Sequence, residues 1–352
     1  MALFLDGPVP LQDTISFVQN VPLPSSNRFT QMFPEREFDT DTIDFTTITQ
    51  TNRAAKFRNW DGNFWVAPRD AGSQARVNML PLGGQLGVGE YERRQKEFAR
   101  YGGTIQNILV DAVYDDLANL TRYAQNRVEL AWGDVLTDGV LTINENGVQQ
   151  QVDYGIPSGQ KVTPTTLWSD RANSTPLTDL LTWTTLYTSV AGAPQGQFIT
   201  SNLVVQDLMF NAQLINAIKG AQTGVTMVSL AEINGLLAGF GIPPFTVPMP
   251  GQPGGSVYGS NFDVDGVTTP AYPTNKLLFL PSDLSSLGFT AWGMPTTSME
   301  LNANNVQVAA DAHLIGILVR EEQPPFRKTT FVDGVVLPVL ADVRKILIAT
   351  VR

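Results

Sequence analysis

TIQNILVDAVYDDLANLTRYAQNRVELAWGDVLTDG, residues 104–139, carries the longest regular pattern in the chain. Apolar residues recur at Ile105, Leu109, Val113, Leu117, Leu120, Ala124, Val128, Ala131 and Val135, always three or four apart. That spacing lines them along one face of an α-helix. Thr104 suits its N-cap and Gly139 its end. About 34 residues at ~1.5 Å rise make a rod of roughly 50 Å, far beyond the usual globular helix of about 11–12 residues.

The flanking segments are less regular. Downstream, VLTINENGVQQQVDYG (140–155) reads as a hairpin turning at Asn146-Gly147. Upstream, GGQLGVG (83–89) reads as a flexible hinge, without the G-x-G-x-x-G or G-K-[ST] pattern of a phosphate loop. Residues 53–89 read as a long hairpin with strand-like runs FWVAP and ARVNMLPL. Within it, FRNWDGNFWV (57–66) places Phe57, Trp60, Phe64 and Trp65 around an Asp-Gly turn, and no core pattern continues from them. Such a segment either folds back on its own domain or reaches for another chain. Before it, prolines 8, 10, 22, 24 and 34 break any long helix. The first 50 residues read as an extended arm, with FDTDTIDFTTITQTN (38–52) strand-like; a disordered tail is the alternative.

A second region starts near Trp168. Ser174 or Thr175, Pro176 and Asp179 open a helix in STPLTDLLTWTTLYTSV. QFITSNLVVQDLMFNAQLINAIKG (197–220) reads as a strand, a cap at Asn202 and one helix closed by Gly220. SLAEINGLLAGFG (229–241) is a short helix, and FTVPMPG, GSVYGSNFDVDGVTTPAY and NKLLFLPS read as strands and a hairpin. Residues 177–300 thus form a mixed α/β unit. Strands return from His313 to the C-terminus.

Composition narrows the function. The chain has 352 residues, 43% of them apolar, enough for a sizeable core. Only 16% are charged, which suits a surface largely buried against partners or, alternatively, a loop-rich secreted protein. Absence of cysteine excludes disulfides, zinc-thiolate sites and thiol nucleophiles. A net charge of −10 argues against broad phosphate neutralisation. MALFLDGPVP lacks the basic start and apolar run of a signal peptide, and no apolar run approaches the ~20 residues of a membrane span.

Chemical motifs are weak. The single histidine, His313, lies in apolar DAHLIGIL, and no serine has a G-x-S-x-G setting. The carboxylate pairs Asp115–Asp116 and Glu321–Glu322 come without a pocket; the first reads as a solvated helix face and the second as salt-bridging interface residues. NFDVDG (261–266) starts like a calcium loop, but its twelfth position is Tyr272, so a turn is expected and no metal.

The order of parts resembles the major capsid proteins of tailed bacteriophages, with their HK97-type α+β fold, and most closely the lambda-like major capsid protein E family. WSDRANSTPLTDLLTW (168–183), QFITSNLVVQDLMFNAQLINAIKG and REEQPPFRKTTFVDGVVLPVLADVRKILIATV (320–351) carry the resemblance. It implies an N-terminal arm over 1–52 and an extended E-loop over 53–89. It further implies a P-domain over 90–176 with the long helix as its spine, an A-domain over 177–300, and P-domain return strands over 301–352. The implied function is a head protein assembling into hexamers and pentamers of an icosahedral shell around double-stranded DNA, in the virion, after assembly in host cytoplasm. No catalysis and no cofactor are implied. Implied partners are further copies of the chain, a separate scaffolding protein, portal and decoration proteins, and DNA through weak contact only; no membrane is involved. Inter-subunit contacts are expected from Arg53, Phe57, Arg58, Trp60, Phe64, Trp65, Arg69 and Arg76 on the E-loop, and from Glu321 and Glu322 on the P-domain. The arginines suit bidentate pairing with a neighbour's carboxylates. The lysine–asparagine crosslink of HK97 is not carried over, because the only nearby lysine is Lys56, at the loop's base. An encapsulin-like bacterial compartment shell is the alternative within the fold. An acidic, cysteine-free hydrolase or carbohydrate-binding protein is the alternative outside it.

Overall fold

A computed structural model describes residues 2–3, 11–40, 42–48, 72–88, 105–145, 147–220, 224–246, 258–295, 297–298, 313–320 and 328–352. The N-terminal stretch holds β1 (Ala2–Leu3), α1 (Leu11–Gln19), α2 (Arg28–Met32) and β2 (Glu35–Phe38). β3 (Thr42–Ile48), β4 (Gly72–Asn78) and β5 (Leu80–Val88) follow. The long helix is α3 (Ile105–Asp138), and β6 (Val140–Glu145) and β7 (Val148–Asp153) form a hairpin at its end. Next come β8 (Lys161–Val162), α4 (Pro176–Ala191), β9 (Gln197–Thr200), α5 (Asn202–Met209), α6 (Ala212–Lys219) and α7 (Leu230–Gly239). The remaining strands are β10 (Asn261–Val264), β11 (Val267–Pro270), β12 (Lys276–Leu280), β13 (Gly288–Gly293), β14 (Leu314–Arg320), β15 (Lys328–Leu340) and β16 (Leu347–Thr350).

The apolar stripe of α3 does what its spacing requires. Leu117, Leu120, Ala124, Val128 and Val135 are buried, together with Trp132 and Leu136. Gly139 ends the helix at φ +80, its N–H returning to Val135 O at 2.8 Å. The stripe lies on a six-stranded sheet organised by β15. This 13-residue strand pairs with β14 along its first half and β13 along its second, on one edge, and with β5 on the other. β1 extends the β14 side and β2 joins β13 in parallel.

The GGQLGVG stretch is not a hinge. Its residues 83–88 lie in β5, paired with β15 from Leu80↔Val336 to Val88↔Lys328, and Gly89 lies outside the described residues. A Cβ on Gly84 would come within 3.0 Å of Leu120 Cδ2, and one on Gly83 within 3.0 Å of Val332 O. These glycines serve close approach of the strand to its neighbours rather than freedom of the backbone. Gly133 plays the same part within α3. A Cβ there would stand 1.6 Å from the Ala271 carbonyl oxygen, because the chain between β11 and β12 crosses directly over the helix backbone.

A second sheet, in the order β8-β16-β12-β9, separates two cores. On β12, Leu278 and Leu280 face the α3 core, while Leu277 and Phe279 face a cluster with Trp168, Trp183, Tyr187 and Phe245. Alternation along the strand makes one sheet serve both. β16, which sequence groups with the return strands, pairs here with β12 and β8.

The segment 202–220 is two helices, not one. Asn211 breaks it, its side chain accepting from Gln213 N and Leu214 N to start α6. The preceding helix is capped by Ser201 rather than Asn202. Phe245 and Thr246 do not form the expected strand; the Phe245 backbone instead pairs both ways with the Asn234 side-chain amide of α7. NFDVDG is a hairpin turn, with Asp265 and Gly266 both at positive φ, and no cluster suited to a metal occurs among the described residues. No helix among them is long and apolar enough to cross a membrane.

Candidate assembly interface

Two features stand out on the fold: an isolated two-stranded stem and an open groove. β3 and β4 form an isolated antiparallel pair, in register from Thr42↔Asn78 to Ile48↔Gly72. It begins well inside the span expected to be arm. Ile43 at its base is buried with Met79 and Leu80 against the α3 core. In sequence, residues 49–71 connect its two strands. Arg53, Phe57, Arg58, Trp60, Phe64, Trp65 and Arg69 belong to that span and lie outside the described residues, as do Glu321 and Glu322. Arg76 lies in β4, across from Asp44 in β3.

The groove, about 700 Å³, runs between α3, β5, and the hairpins β6–β7 and β10–β11. Its apolar lining includes Leu82, Leu120, Ile143 and Val264, and its lip carries Tyr123 and Val148, which are 60% and 38% exposed. Glu145, Asp263 and Asp265 stand on it. Its lining cation, Arg127, is bonded to Glu145 at 2.8 Å. Asn126 adds a buried side-chain oxygen that no donor reaches. Gln150 Nε2 donates to Asn78 O at 3.1 Å, tying the β6–β7 hairpin to the foot of the stem.

Behind the groove, α3 holds α2 through a buried carboxylate. Glu129 is 0% exposed. Its Oε1 accepts from Phe29 N at 2.8 Å and from the Tyr258 hydroxyl; its Oε2 accepts from Thr30 N and Thr30 Oγ1, both at 2.8 Å. Asn27 offers α2 no side-chain cap, so Glu129 satisfies the orphan N–H groups of that short helix from another element. Burial, then the neighbouring Glu129 charge, pushes the Tyr258 hydroxyl well above the ordinary tyrosine range, which keeps it a donor. Arg28 is lowered chiefly by burial, against the pull of Tyr258 and Glu129. Sequence reasoning missed Glu129, although a signal exists. Val128, Leu130, Ala131, Trp132, Val135 and Leu136 crowd all sides of that part of the helix, leaving a charge there no solvent face.

The other chemical candidates are dispersed. His313 stacks on Trp292, with Nε2 3.4 Å from Glu35 and Nδ1 3.5 Å from Glu37. Each ring nitrogen has its own carboxylate, so the three groups do not converge on one ion, and no serine among the described residues bonds to them. Of the pair expected on a solvated helix face, Asp115 is exposed and Asp116 is half-buried.

The chain matches the family model described as phage major capsid protein E over residues 11–351. No curated protein matches it. Among solved structures, it is similar to a prophage protein of E. coli CFT073 described as a capsid-protein candidate, at 15% identity and a TM-score of 0.63, covering 98% of this chain and 99% of that one. It is also similar to a phage-related protein from Bordetella bronchiseptica RB50, at 11% identity and a TM-score of 0.56, covering 99% and 97%.

Proposed function

The chain belongs to the phage major capsid protein E family, and from that premise we propose that its stem-borne loop and its groove are the two halves of one contact between neighbouring shell subunits. The protein is a structural shell subunit with the HK97-type fold, part of the virion, and it self-associates into multimeric shells. In the finer reading it has no catalytic activity and builds hexamers and pentamers of an icosahedral shell around double-stranded DNA. Assembly takes place in host cytoplasm, with separate scaffolding, portal and decoration proteins. In domain terms, the residues before β3 act as arm, β3 and β4 with the span between them as E-loop, 90–176 with 301–352 as P-domain joined by β5, and 177–300 as A-domain.

One observation carries the loop-and-groove reading. The groove offers apolar walls, carboxylates and an unpartnered amide oxygen, while residues 49–71 offer Trp60, Phe64, Trp65, Arg53, Arg58 and Arg69. Aromatic side chains need a concave apolar seat, and arginines need acceptors. Glu321 and Glu322 supply further acceptors on the receiving subunit.

The test is Trp60→Ala with Trp65→Ala, set beside Val148→Arg at the exposed groove lip. Both proteins are expected to keep the circular dichroism of the parent and to lose closed shells in size-exclusion chromatography and negative-stain microscopy. Unfolding of the Trp60/Trp65 variant would place those rings in the subunit's own core. Intact shells from Val148→Arg would remove the groove from the contact. Nucleic acid rather than cargo enzyme inside the particles separates a phage head from a compartment shell.

A further inference from the structure

Tyr258 and Ser260 bind the arm and then run straight into β10, one wall of the groove. Tyr258 donates to Glu129, and Ser260 Oγ donates to Ser26 O at 3.1 Å. Phe29 and Thr30, on the other side of the same carboxylate, run through β2 into β3, the first leg of the stem. Glu129 itself sits between Val128 and Leu130, which line the groove floor. Its four hydrogen bonds therefore come from two segments that lead to opposite halves of the contact.

We propose that Glu129 is a positioning residue that couples the stem a subunit extends to the groove in which it receives a neighbour's loop. This rests on the groove being the receiving site. A buried carboxylate is a poor choice for stability alone, since apolar residues of similar volume serve as well or better. What it adds is directional bonding to two elements at once. Glu129 lies 99 and 100 residues from its arm partners and 129 from Tyr258, so only the fold connects them. A shift of α2 along α3 pulls on Glu129, and Glu129 pulls on the foot of β10.

Hydrogen exchange on the unassembled full-length chain tests this. Tyr258→Phe removes one donor to Glu129 and keeps the ring stacked on Phe29, whose centroid is 4.4 Å away. Thr30→Val removes one donor from the other side. Tyr258→Phe is expected to speed exchange of the 28–32 amides about tenfold, the scale of one lost hydrogen bond to a charged group. Thr30→Val is expected to do the same in β10 and β11. β12 and β16 serve as the internal reference and stay unchanged. Exchange that rises only in the mutated element overturns the coupling. A uniform rise that includes β12 and β16 also overturns it, because Glu129 is then a core stabiliser and nothing more. The readout needs no shells, so failure of the groove reading, seen as intact shells from Val148→Arg, is distinguishable from failure of the coupling.

Discussion

Gly133→Ala sets two opposite effects against each other, and the structure decides the sign. In an unobstructed helix, replacing glycine by alanine stabilises by up to ~1 kcal/mol. At Gly133 the new Cβ would lie 1.6 Å from Ala271 O and 2.8 Å from its carbonyl carbon. An ordinary contact of about 3.5 Å requires the crossing chain to retreat by about 2 Å. That chain is pinned: Ala271 N donates to Ser260 O at 2.9 Å, and the next residue, Tyr272, is among the fully buried side chains. Overpacking a well-packed core costs about 1–3 kcal/mol, and the upper figure applies because backbone rather than a flexible side chain must move. Subtracting the propensity gain leaves a net loss of about 2 kcal/mol. Urea unfolding of unassembled subunits measures it. Gly235→Ala in α7 is the control, since nothing lies within 4 Å of its Cβ position, and it should gain up to ~1 kcal/mol. If Gly133→Ala is stabilised like the control, the close crossing of helix and chain is wrong.

Trp132→Phe should cost about 1–3 kcal/mol, because it leaves the buried Thr290 hydroxyl without the indole donor now at 2.8 Å; adding Thr290→Val should recover part of that loss in a double-mutant cycle. Asp207→Asn should destabilise by about 1–3 kcal/mol in thermal or urea unfolding, less than a fully buried pair because its partners are partly exposed: the carboxylate is buried, with Arg171 at 2.8 Å and Arg352 at 3.5 Å. Glu232 is held at about 2, first by Lys219 and then by the Ser229 capping box. Its folded value is depressed, so its contribution is present above the ordinary 4.5 and disappears as pH falls toward 2; Glu232→Gln should flatten the acid limb of a stability–pH curve in that window.

Local signals were readable from the chain. The three-four spacing of α3, the Asn146-Gly147 hairpin and the Pro176–Asp179 helix start depend on neighbours a few residues away, and the order of such parts was enough to point to the shell family. Signals with two meanings were misread. Glycine marks either backbone freedom or close approach, and for Gly83 and Gly84 the choice rests on Val332 and Leu120, far along the chain. Asn211 in an apolar helical run looks tolerable until its side chain caps a second helix.

By itself the sequence determined the long helix, the β6–β7 and β10–β11 hairpins, the start of α4 and the resemblance to a family, because periodicity and turns are short-range properties; the hairpin expected over 53–89 was not among them, since β4 pairs with β3 and β5 with β15. Only the tertiary structure decided that Glu129 is buried and who its partners are. It also decided that β12 divides two cores, that Gly133 lets a chain cross the helix, and that two hairpins, a strand and α3 enclose one groove. Each of those depends on residues brought together from distant positions, and one-dimensional spacing carries no record of such distances.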